Sequence, residues 1–149
     1  MNFVGAAIAV TVLLTLPVRA AEFTVQPIKD ASGAVSGCLA QDAKGEVGFL
    51  AVASTVVLFA HSDAFSIAKG TAVTGTYAVD SAAPVPFASN SDTANTATID
   101  VPNDAESVAA LVTGNRLTVT ANGKTARFDI ANTAQAFSGL VQCMTDADK

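Results

Sequence analysis

The run from Leu117 to Ile130 constrains this chain more than any other stretch. Leu117, Val119 and Ala121 alternate with Thr118 and Thr120, then Asn122-Gly123 intervenes, then Ala126, Phe128 and Ile130 alternate with Arg127 and Asp129. Successive side chains on a strand point to opposite faces, so alternation with period two marks strands that bury one side. Asn-Gly suits a type I′ turn, whose two central residues both need positive φ. The pattern predicts an antiparallel hairpin.

The same period recurs along the chain. Val73, Tyr77 and Val79 share one side of residues 71–79, opposite Thr74 and Thr76, and Ala97, Ile99 and Val101 alternate with Thr96, Thr98 and Asp100. Residues 23–28, 35–40 and 46–52 read as further strands. Residues 55–60 form an apolar run whose β-branched content favours a buried strand, and a tight turn at Ala53-Ser54 joins it to the strand before. With Pro84, Pro86 and a cluster of Ser, Asn, Asp and Thr, residues 80–94 read as a loop holding one short edge strand at residues 85–88.

Two helices are signalled by their starts. Asn103-Asp104-Ala105-Glu106 places an acceptor at the N-cap and a carboxylate three residues on, which is the capping-box spacing. Val108, Leu111 and Val112 make a short apolar stripe, and Gly114 is expected to supply a left-handed C-terminal cap. The second start is Asn132-Thr133-Ala134-Gln135, with Phe137, Leu140, Val141 and Met144 on one face and Cys143 at its edge. The fold expected is mainly β: a single antiparallel sandwich or partly open barrel with two short helices.

Residues 1–20 read as a signal peptide. Residues 3–17 carry no charge, are too short to span a membrane, and lead to Val18-Arg19-Ala20, with small residues at the two positions a signal peptidase reads. Cleavage after Ala20 would leave residues 21–149 as one domain, periplasmic or secreted and without a membrane span. In an oxidising compartment Cys38 and Cys143, the only two cysteines, are expected to form a disulfide. Closing a loop of that length constrains the unfolded chain by up to ~4.7 kcal/mol in the chain-entropy model.

Charge and composition exclude several classes. The chain has 8 Lys and Arg against 13 Asp and Glu with no basic cluster, which makes nucleic acid a poor partner. His61-Ser62-Asp63 holds the residue types of a hydrolytic triad, but neighbours on a strand diverge and cannot converge on one another. One His and two cysteines committed to a disulfide make no zinc site, and Asn90-Ser91-Asp92 is too sparse for a calcium loop. Asp100, Asp104 and Glu106, the densest acidic set, fall at a strand end and a helix start, where a carboxylate complements the helix dipole. No catalytic residue, metal ligand or cofactor is expected.

Residues 76–143 resemble the C-terminal part of the invasion-associated locus B proteins, small periplasmic or surface proteins of alphaproteobacteria. The residues that carry the likeness are Tyr77-Ala78-Val79-Asp80, Val85-Pro86-Phe87, the helix at 105–111, Gly114-Asn115-Arg116-Leu117-Thr118-Val119, Phe128-Asp129-Ile130 and the helix around Phe137 and Leu140. The resemblance implies an exported envelope protein. The sequence therefore leads to a non-catalytic protein that binds a protein or other envelope component or supports envelope integrity. The alternatives are an inhibitor of a hydrolase such as lysozyme and a small-ligand carrier. The loop of residues 81–95 is the candidate binding segment, through Ser81, Pro84, Pro86, Asn90, Asp92 and Asn95.

Overall fold

The alternating segments pair into antiparallel ladders in the computed structural model, which describes residues 22–147. The signal peptide expected at residues 1–20 lies outside them. The strands are β1 (Phe23–Lys29), β2 (Val35–Asp42), β3 (Val47–Val52), β4 (Thr55–His61), β5 (Ala72–Val79), β6 (Val85–Asn90), β7 (Thr96–Val101), β8 (Arg116–Ala121) and β9 (Lys124–Asp129). A 3-10 turn (Asp63–Phe65) follows β4, helix α1 (Ala105–Thr113) joins β7 to β8, and α2 (Thr133–Ala147) comes last.

One sheet has five strands in the order β1-β2-β3-β4-β7 and the other four in the order β6-β5-β8-β9. Neither closes on itself, so the arrangement is sandwich-like and not a barrel. Inward residues of both sheets make one core, with Phe49, Leu58, Ile99, Val73, Leu117 and Val119 inaccessible to solvent. Each such side chain contributes roughly 1.5–3 kcal/mol by leaving water. Leu117 faces Phe128 and Val119 faces Ala126 across the expected hairpin, and φ is 47° at Asn122 and 78° at Gly123. The turn is itself docked: Asn122 donates its N–H to the Thr74 carbonyl (2.9 Å) and accepts the Thr74 N–H on its side-chain oxygen (3.2 Å).

Helix α2 lies on the core side of β1 and β2. Gly139 permits the approach, since a Cβ there would come 2.7 Å from Val25 Cγ2. The Phe137 ring packs 5.1 Å from that of Phe49, and Cys143 is bonded to Cys38 on β2 with Cα atoms 6.2 Å apart. The disulfide thus ties the last helix to the first hairpin.

Four local expectations are corrected. The cap of α1 is Asp104 and not Asn103: Asp104 has extended backbone and accepts the Ser107 N–H at 2.7 Å. Gly114 is extended rather than left-handed (φ −73°), and glycine is needed there because a Cβ would collide with Val79. Val141 is 67% exposed, since the buried stripe of α2 runs through Thr133, Ala136 and Leu140 instead. With Met144 it lines a surface groove of about 430 Å³ beside the β3–β4 hairpin. The edge strand expected at residues 85–88 extends to Asn90, pairing with β5 along its length.

Candidate functional site

Antiparallel register fixes which residues share the outer face of the five-stranded sheet. Gln26, Leu39, Leu50, Val57 and Asp100 form one row across all five strands, and Thr24, Gln41, Gly48, Phe59 and Thr98 form the next. Ile28 and Val52 extend the apolar patch toward one end, 37% and 41% exposed. Leu39, Leu50, Val57 and Phe59 are half-buried by one another, and among the described residues no further layer covers them. The strand at residues 55–60 was expected to be buried; only its inner side is, through Leu58 and Ala60. Contiguous apolar surface of this kind marks interaction sites more often than scattered apolar residues do. Its trace in the sequence is the loss of alternation in β3 and β4, where residues of both parities are apolar.

At one end the face deepens into a groove of about 470 Å³. Gly48, which has no side chain, lies between Gln41 and Phe59 to form its floor, and Leu39, Glu46 and His61 stand around it. Lys44 Nζ lies 3.9 Å from Glu46 Oε2 at the rim. Across the two ladder rows, Asp100 is the only acidic or basic side chain.

The chain leaves β4 at His61, and the three residues with the composition of a triad do not assemble one. Residues 63–65 form a 3-10 turn, and Asp63 Oδ1 lies 4.0 Å from His61 Nε2. The imidazole Nδ1 lies 3.1 Å from Thr96 Oγ1. The Ser62 hydroxyl caps the turn by accepting the Ala64 N–H at 3.3 Å, so it is engaged with the backbone and not with His61. The three residues therefore share a corner without the serine-to-imidazole contact that nucleophile activation requires.

The candidate binding segment is divided by β6. Ser81 and Pro84 sit in the β5–β6 turn, Pro86 and Asn90 lie on β6, and Asp92 and Asn95 follow it. Six strand residues span ~17 Å at ~3.3 Å each, so the two ends do not make one surface. Near the first end, Asp80 accepts the N–H groups of Asn115 and Arg116 at 3.2 and 2.9 Å. At the other, Asn95 (φ 56°) accepts the Ile67 N–H at 3.0 Å and holds the loop after the 3-10 turn. The Ser91 hydroxyl, fully buried, donates to the Thr96 carbonyl at 2.9 Å.

Among the described residues no group of three or more His, Cys, Asp or Glu side chains is placed to hold a metal ion. No helix among them is long and apolar enough to cross a membrane. Comparison with protein-family models, curated proteins and solved structures found no match.

Proposed function

We propose that this chain is an exported, non-catalytic binding domain that meets a macromolecular partner through the outer face of its five-stranded sheet. The observation that carries this reading is the uncovered apolar belt of Leu39, Leu50, Val57 and Phe59, continued by Ile28 and Val52. Covering it would remove apolar surface from water at about 25 cal/mol per Å². The space between the sheets is filled by Phe49, Leu58, Phe65 and Ile99, which supports binding at the surface over carriage of a small ligand inside. Engagement of Ser62 with the backbone supports a non-catalytic role. The disulfide is consistent with an extracytoplasmic location. The resemblance of residues 76–143 to invasion-associated locus B proteins points toward the same envelope setting.

A photo-crosslinking residue in place of Val57, compared with one in place of Thr74 on the opposite sheet, tests the reading in cells or envelope extract. Crosslinked adducts concentrated at position 57 support the face. Adducts formed only from position 74 overturn it.

A further inference from the structure

We propose that the occupant of this face is a second copy of the chain, stacked face to face about a two-fold axis passing close to Leu50. The inference rests on the reading of the face as a docking surface and names its partner.

Charge is the first argument. The chain carries −5 overall, and among the described residues Asp100 is the one carboxylate within the two ladder rows, with Glu46 at the rim of the groove beyond them. Two copies of an acidic protein repel least where each carries least charge, whereas a basic partner is drawn to the acidic surface elsewhere.

The sheet edges supply the second. An exposed edge strand invites edge-on pairing unless proline, a bulge or a covering element blunts it. Here β1 carries Pro27 and a register shift at Ile28/Lys29, and β6 carries Pro86. The other edges have neighbours along part of their length, β7 in contact with β6 and β9 with the 3-10 turn. With its edges blunted, the five-stranded sheet has its outer face left for self-association.

The third is self-complementarity, which a two-fold interface demands of one patch. Because β3 is the middle strand, the row Gln26, Leu39, Leu50, Val57, Asp100 is polar at both ends and apolar at the centre. Rotation about an axis along β3 sets Leu50 on the partner's Leu50 and Leu39 on the partner's Val57. It also brings the Gln26 amide, a donor, to the carboxylate of the partner's Asp100. Stacked sheets sit ~10 Å apart. Five strands ~4.8 Å apart and three outward rows ~6.8 Å apart give a patch of about 500 Å² in projection. That falls below the ~800 Å² per partner of a standard interface, so the dimer is weak and dissociates on dilution.

Sedimentation of the disulfide-intact protein over a concentration series tests this. Wild type is expected to associate with rising concentration. Leu50→Lys and Leu50→Glu should each raise the dissociation constant at least about tenfold, and mixing the two variants should restore association, because opposite charges then meet at the axis. Thermal melting checks that both remain folded. Gln26→Glu, at an exposed position, serves as a milder second variant; it sets a carboxylate against the partner's Asp100 and should weaken the dimer severalfold, less so in high salt.

A wild type that stays monomeric to about 1 mM, or Leu50 variants that associate as wild type does, overturns the proposal. So does a mixture no more dimeric than either variant alone. If wild type is monomeric yet position 57 crosslinks a different macromolecule, the second copy is wrong and the docking face stands. No adduct at all from position 57 removes both.

Discussion

The hydroxyl of Thr133, the first residue of α2, donates to the main-chain oxygen of Leu111 at 2.5 Å. One helix thereby satisfies a carbonyl in the last turn of the other, a group with no partner inside its own helix. Thr133 is fully buried, so no water substitutes. Thr133→Val keeps the shape and removes the donor, and should cost about 1–3 kcal/mol in urea denaturation. Thr133→Ser should retain most of the stability.

Tyr77 is 4% exposed, and its hydroxyl has no hydrogen-bond partner among the described residues. Tyr77→Phe should therefore leave stability unchanged or raise it by about 1 kcal/mol. Burial, then the nearby charge of Asp104, holds the phenol above the usual tyrosine range. The folded state keeps this proton longer than the unfolded chain, so the contribution is complete below the ordinary tyrosine range and is lost as pH rises from there through the raised value. Denaturation curves at alkaline pH should show a decline that is shallower in Tyr77→Phe.

Asp104 behaves in the opposite sense. Hydrogen bonds from the Ser107 N–H and then the Ser107 hydroxyl hold its carboxyl below the usual aspartate range. The stabilisation is present above that range and is lost as pH falls through the lowered value. Asp104→Asn keeps a capping acceptor and should flatten the acid limb of a melting-temperature profile, while Asp104→Ala should lower stability across the whole pH range.

Gly123→Val should destabilise the β8–β9 hairpin by about 1–2 kcal/mol, because a β-branched residue is strained in the left-handed region that Gly123 occupies. Thermal melting measures it, and Gly123→Asn, which tolerates that region, should lose less.

The residues legible in advance were those whose constraints are local. Alternation placed Leu117, Val119, Ala97 and Ile99 in the core, and Asn122-Gly123 announced its turn. With only two cysteines, the pairing of Cys38 with Cys143 had no competitor. Where two neighbouring residues had similar chemistry, as Asn103 and Asp104 do, capping depended on backbone direction that a residue type does not carry.

The candidate site was legible only in fragments. His61 and Asp63 meet because the chain turns out of β4 into a 3-10 turn, and the segment at residues 81–95 splits because β6 pairs along β5. Leu39, Leu50, Val57 and Phe59 could each be recognised as strand residues. That they form one uncovered patch across two neighbouring rows follows from a strand order joining β4 to β7 and from α2 packing on the other side. The sequence by itself determined the β class, the hairpin turn and the one possible disulfide, because these depend on side-chain period, turn geometry and cysteine number. Tertiary structure alone decided which apolar face is left uncovered, because period two sorts residues onto two faces while the stacking of distant elements selects the face that leaves water.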